Sequence, residues 1–213
     1  AGLADLAHQH GAYLVVDGAQ SSGVVPIDVG KDHVDFLSCP TFKWLCGPLG
    51  AGFLYVRKEL VMLGPPPLVG WMSARDPGKF DVHGMDLHDD ARRFQRGVHS
   101  AVGLVAAVAG LRIIDELQLE RIWEHVRTLS RELLKGLGKL GLDVLTPEGD
   151  SERAGIVAFR LDDAVKFNET LAVRGILAGQ YLPGQIRMDV ALFHNEQDIQ
   201  RILEIVKEIL TQT

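Results

Sequence analysis

The sequence predicts an α/β protein, with a mostly parallel sheet and its helices followed by a small α+β C-terminal domain. Three observations carry this expectation. Residues 12–16 are a short continuous apolar run that ends on Asp17-Gly18, the mark of a strand buried on both faces with a charge at its carboxyl end. Residues 100–137 are dominated by apolar side chains at helical spacing. In the last third, strands and helices follow one another in the order of a small antiparallel α+β unit.

Taken in order, residues 1–10 read as the end of a helix, with Leu3, Leu6, Ala7 and His10 on one face and Gly11 as its left-handed stop. After the 12–16 strand come a short strand over 34–39, a Gly- and Pro-rich turn over 47–52, and a strand over 53–56. Residues 64–97 are rich in Gly, Pro, Asp and His, and a loop of that length is uncommon unless it is functional. From 100 to 117 Ala, Val and Leu surround the helix on all sides, which predicts that it is largely buried. Ile122, Val126, Leu129 and Leu133 then give 119–137 one apolar stripe. Strands are expected over 142–145, 155–161 and 185–191, and helices over 163–174 and 196–210, with a domain boundary near residue 116.

The bulk composition narrows the function. The chain has 213 residues, 46% hydrophobic and 23% charged, with a formal net charge of −6. That suits a globular protein with a substantial core and argues against a nucleic-acid surface. Arg92-Arg93 is the longest basic cluster and is placed on the loop surface. Two cysteines, Cys39 and Cys46, are too few for a disulfide framework and read as packing residues in a reducing cytoplasm. No apolar run approaches the ~18 residues of a membrane span, and no signal-peptide pattern opens the chain.

Asp17, Gln20 and Lys43 carry the chemistry. Asp17 closes a strand, where open α/β sheets place ligand groups. Lys43 lies between Phe42 and Trp44 ahead of the Gly-rich turn. Burying an ammonium is costly unless it is paired, and desolvation makes the amine available as a nucleophile and Schiff-base former. A carboxylate at a strand tip is what a pyridinium nitrogen needs to keep its proton. Each residue alone has a plainer reading: Asp17-Gly18 as a turn and Lys43 as a snorkelling surface lysine. The glycines of 47–52 lack the Lys-Ser/Thr ending of a phosphate loop and read as a tight turn into a strand. His83, Asp86, His88, Asp89 and Asp90 have no regular ligand spacing and read as a solvated loop rather than a metal site.

Together these residues resemble a known pattern. Val16-Asp17-Gly18-Ala19-Gln20-Ser21-Ser22-Gly23, Pro26-Ile27-Asp28-Val29, Asp35-Phe36, and Lys43-Trp44-Leu45 running through Gly47-Pro48, Gly50 and Gly52-Phe53-Leu54-Tyr55-Val56 are similar to class V aminotransferases. That family includes cysteine desulfurases, isopenicillin-N-epimerase-like proteins and kynureninase. Asp90-Ala91-Arg92-Arg93-Phe94 with Gly97 resembles the segment before the family's long helix. Ile186-Arg187 with Phe193-His194-Asn195 and Asp198-Ile199 resembles its closing motif.

The resemblance implies the cofactor pyridoxal 5'-phosphate (PLP). Residues 1–116 would be the C-terminal portion of the PLP-binding large domain and 117–213 the small C-terminal α+β domain. Asp17 would pair with the ring nitrogen, Gln20 would donate toward the ring hydroxyl oxygen, and Lys43 would hold the cofactor as a Schiff base and move the α-proton. Arg187 would grip the α-carboxylate of an amino-acid substrate, a task for a bidentate guanidinium. The sequence departs from the pattern at Pro40-Thr41-Phe42, where many relatives have Ser-Gly-His, leaving the Thr41 hydroxyl as the remaining phosphate donor. Val98 stands where the family has a Thr that reaches the partner subunit's phosphate. Desulfurases carry a nucleophilic Cys before the substrate arginine, and none lies between Arg174 and Arg187. The resemblance therefore implies a PLP-dependent aminotransferase acting on an amino acid, working as a homodimer. The alternatives are an epimerase or lyase of the same family, or a non-catalytic remnant. It also implies that the family's N-terminal half is missing, so that the isolated chain is expected to be inactive.

Overall fold

The structure, a computed structural model, describes residues 2–81 and 83–212. It comprises two compact units, Ala1–Glu116 and Leu117–Thr213.

In the first unit, helix α1 (Gly2–Gln9) stops before Gly11, whose φ is +67°. The chain then enters strand β1 (Val15–Asp17), and strands β2 (Phe36–Pro40) and β3 (Gly52–Val56) follow. The sheet is mixed, in the order β1-β2-β3. β1 runs parallel to β2, with Asp17 opposite Ser38, and β3 returns antiparallel with Gly52 opposite Pro40. Two parallel neighbours end at the same edge, so the carboxyl end of β1 and the chain leaving β2 toward Lys43 meet there.

A buried carboxylate holds the other end of this sheet. Asp35 has 0% exposure. It accepts from the His8 imidazole of α1 at 2.8 Å and from the Leu14 N–H at 2.7 Å, and its second oxygen lies 3.1 Å from the Arg57 guanidinium beyond β3. Burial by itself would push this carboxyl up, but the His8 and Leu14 hydrogen bonds and the Arg57 charge together hold it below the usual carboxylate range.

Two expectations about burial are corrected. The apolar run before Asp17 is not covered on both faces: Tyr13 is 46% and Val15 68% exposed, on the face they share with Asp17. Helix α2 (Ala101–Leu117) is likewise only partly covered. Gly103, Ala107, Gly110 and Ile114 are buried, while Val102, Val105 and Val108 face outward. Its buried stripe is small because it packs on backbone: a Cβ at Gly110 would lie 2.5 Å from the Leu45 carbonyl oxygen.

The long 64–97 segment is organised by short 3₁₀ turns at Trp71–Ser73, Pro77–Lys79 and Ala91–Phe94. Buried Ser73 ties its ends, accepting from the Gly70 N–H at 3.0 Å and donating to the Gln95 carbonyl at 2.5 Å. The acidic cluster there is bound up in ion pairs, Asp86 and Asp89 with Arg75 and Asp90 with Arg92. Arg92 is exposed as expected, but Arg93 is buried, with its guanidinium donating to the Gly64 carbonyl. The basic pair therefore splits between surface and interior.

In the second unit, helix α3 (Leu119–Lys139) and an antiparallel sheet of β4 (Asp143–Val144), β5 (Ile156–Arg160) and β6 (Gln185–Asp189) pack with α4 (Ala164–Val173) and α5 (Glu196–Gln212). The α3 stripe Leu129, Leu133 and Leu137 shares one core with Val157, Phe159, Leu171, Ile186 and Val206.

Asp35→Ala should lower the stability of the first unit by about 3 kcal/mol, since it strands His8, Arg57 and the Leu14 N–H. The carboxyl is held down in the folded state, so its contribution is present above the ordinary Asp range near pH 4 and fades as pH falls below it. Urea unfolding of wild type and variant at pH 7 and at pH 3 checks both points. The gap should be wide at pH 7 and narrow at pH 3, and equal stability at pH 7 refutes the role.

Candidate active site

Lys43 lies in the loop that joins β2 to β3. The loop is closed from within by Thr41, which is 4% exposed. Its hydroxyl oxygen sits 3.1 Å from both the Pro48 and the Ala51 carbonyls, its N–H donates to Ala51 at 3.0 Å, and its carbonyl accepts from Gly47 at 2.8 Å. The glycines of 47–52 thus serve a tight turn. A Cβ at Gly47 would lie 2.5 Å from that of Thr41, and a Cβ at Gly52 would lie 2.9 Å from the Cys39 carbonyl oxygen. With its proton directed at backbone carbonyls, the Thr41 hydroxyl is turned into the loop rather than toward a phosphate.

The loop's outer arc carries Phe42 and Lys43, both exposed, with the ammonium 5.9 Å from the Phe42 ring centroid. The next two side chains turn inward, Trp44 at 8% and Leu45 at 5% exposure. Cys46 follows in the left-handed region at φ +55°, its N–H donating to the Lys43 carbonyl at 3.1 Å. It is exposed, not the packing residue its composition suggested, because this corner turns its side chain out.

The turn after β1 docks against this arc. Asp17 is exposed at the strand end, and one carboxylate oxygen accepts from the Ala19 N–H at 2.9 Å. Gly18 donates to the Ser38 carbonyl at 2.8 Å, in a space where a Cβ would fall 2.7 Å from Leu37. Gly23, at φ +96°, lets the turn touch the lysine loop, since a Cβ there would lie 2.7 Å from the Trp44 carbonyl oxygen. From within the turn Gln20 accepts a hydrogen bond from the Trp44 indole N–H at 3.1 Å.

The structure therefore brings together three of the residues singled out from sequence, Asp17, Gln20 and Lys43. Cys39, 2% exposed, lies on β2 next to this edge. Burial raises its thiol above the ordinary value, the Asp17 carboxylate adds to the rise, and the Lys43 ammonium opposes it. Trp44, which ties Gln20 to the lysine loop, is the residue that sequence reasoning missed as a functional contact. Its 24-residue separation from Gln20 left no periodic signal.

Arg187 belongs to the second unit, on β6. Its Nε and Nη2 donate to Asp189 Oδ1 at 3.1 and 2.7 Å, and its guanidinium carbon lies 5.0 Å from the Tyr181 ring centroid. An ion pair and an aromatic face thus fix the plane of the guanidinium.

The sequence profile of the family described as aminotransferase class-V matches residues 1–177. The chain belongs to the class-V aminotransferase family. It is 35% identical over 158 residues to the uncharacterized aminotransferase YcbU of Bacillus subtilis, covering 74% of this chain and 41% of that protein. It is 26% identical to a probable cysteine desulfurase of Pyrococcus abyssi over 98% of this chain and 55% of the relative. The apo structure of a cysteine desulfurase from Thermococcus onnurineus superimposes with a TM-score of 0.89 at 27% identity, over 99% of this chain and 56% of that one. The chain thus spans about half the length of the relatives it matches. Pyridoxal phosphate is the cofactor of the class-V family, and it is named in a structural neighbour, a variant of the cystine lyase C-DES, with glycine covalently linked to it.

Gly23→Ala should destabilise the first unit by about 2 kcal/mol, because a side chain there meets both a left-handed backbone and the Trp44 carbonyl. Thermal unfolding followed by tryptophan fluorescence measures it. A variant as stable as the wild type would rule out the tight docking of the two turns.

Proposed function

We propose that this chain contributes the ring-binding half of a PLP-dependent aminotransferase site acting on an amino acid. The observation that carries this reading is the convergence of a carboxylate, an amide and a primary amine, Asp17, Gln20 and Lys43, at one edge of a sheet. That donor set fits the ring of PLP. The side chains at 40–42 offer the phosphate little: Pro40 also lacks an N–H, the Thr41 hydroxyl is bonded inward, and the Phe42 side chain has no polar atom.

When bound, the cofactor supplies an electron sink, and the protein supplies binding, orientation and charge. Asp17, fixed by the Ala19 N–H, would hold a proton on the ring nitrogen. Gln20 would donate to the ring hydroxyl oxygen. Lys43, on the exposed arc, would anchor the cofactor through its amine and carry the α-proton of the substrate. Arg187 would clasp the substrate's α-carboxylate, its plane fixed by Asp189 and Tyr181. A homodimer is the assembly that the family resemblance implies. The exposed apolar residues of α2 favour a covered rather than a solvated helix in that assembly. Among the described residues no helix is long and apolar enough to cross a membrane, which is compatible with the expected cytoplasmic location.

Desulfurase chemistry is the second reading, favoured by the named relatives. Against it stands the chemistry of the segment before Arg187, where residues 175–186 contain no cysteine to take up sulfur.

The deciding experiment incubates the PLP-loaded full-length protein that carries this chain with an amino acid and a keto acid and follows both amino-group exchange and sulfide release from cysteine. Exchange without sulfide is expected, and sulfide without exchange overturns the aminotransferase reading. In the same assay Asp17→Asn should retain the cofactor yet lose about 10²–10³ in rate, the cost of one charge-assisted contact in a dry site. Near wild-type turnover would remove Asp17 from the ring nitrogen.

A further inference from the structure

The Gln20 amide has two ends of opposite character, one oxygen that accepts and one nitrogen that donates, and either could face the space between Asp17 and Lys43. Its neighbour decides which. The Trp44 indole nitrogen is a donor with no acceptor capacity, and it lies 3.1 Å from the Gln20 side chain. Only the amide oxygen can satisfy it, so the two N–H groups of Gln20 are left to point away from Trp44. The indole has little freedom to release this bond. It is 8% exposed, and its own backbone carbonyl is pressed against Gly23, three residues beyond Gln20 in the same turn.

We propose that Trp44 is a positioning residue that locks the flip of Gln20, so that this corner presents an N–H donor to an anionic ring oxygen of the cofactor. This rests on the functional reading above and deepens it. A free amide would sample both flips and present an acceptor to that oxygen part of the time. The lock removes the repulsive orientation before anything binds. The ionisable groups about the corner are Asp17 from β1, Cys39 from β2, and Lys43 and Cys46 from the loop.

The readout is the pH midpoint of the visible absorbance of the PLP-loaded protein. A donor on the ring oxygen favours its anionic form and lowers that midpoint. Gln20→Ala should therefore raise it by about one pH unit, the shift expected when one such hydrogen bond is lost. Trp44→Phe should move it the same way, and the double variant should go no further than Gln20→Ala alone. If Trp44→Phe does not fold, replacing the indole by isosteric benzothiophene removes the N–H alone and should give the same rise. In the cofactor-free protein, the Trp44 indole N–H resonance should move upfield in Gln20→Ala. A merely structural Trp44 would lower the melting temperature and leave the midpoint in place. An unshifted midpoint without the indole N–H, alongside a shift in Gln20→Ala, overturns the lock. Failure of the protein to take up PLP in a manner abolished by Lys43→Ala overturns the functional reading itself, and the lock's purpose with it.

Discussion

The close approach of two turns, one after β1 and one after β2, is the constraint on which the site depends. Parallel pairing delivers both strand ends to one edge of the sheet, but it does not by itself bring Asp17, Gln20 and Lys43 within reach of one ligand. That step requires the chain at Gly23 to press against the Trp44 carbonyl, which a side chain at 23 would forbid. Once the turns touch, the Trp44 indole meets Gln20. At the far end of the sheet Asp35 performs the complementary task, joining α1, the entry to β1 and the exit from β3 through one buried carboxylate. The charged groups of the site can remain exposed because buried polar residues elsewhere set the geometry of the strands.

The same arrangement divides cofactor recognition in an uneven way. Under the proposed function, the ring would meet a carboxylate, an amide and an amine, Asp17, Gln20 and Lys43. Residues 40–42 build the loop, above all Thr41, whose hydroxyl closes the turn. A loop stiffened in this way holds Lys43 on its outer arc without contributing to the anion site. The chain spans about half the length of the relatives it matches.

Much of this was legible in the sequence, for physical reasons that differ by element. The stripe of α3 and the strands of the second unit were readable because a single face is buried, which imposes a period on the residues. Asp17, Gln20 and Lys43 were readable as a pattern because chemistry fixes residue type and order. Burial of the 12–16 run and of α2 was misjudged, since apolar composition reports what a surface is suited to bury and not what covers it. The closing role of Thr41 in its loop was not legible, because a hydroxyl serves a loop carbonyl as readily as a ligand. The Trp44–Gln20 bond was invisible, because side chains from distant turns meet only once the sheet is assembled. Arg93 was assigned to the surface by its charge, and the fold buried it by giving its guanidinium a backbone carbonyl.

The measurement that bears most directly on the account is chemical. The protein is incubated with pyridoxal 5'-phosphate, reduced with borohydride, digested and mapped by mass. The arrangement of Asp17, Gln20 and Lys43 predicts a phosphopyridoxyl group on the peptide containing Lys43. The same modification on a different lysine, with Lys43 left unmodified, would contradict the site.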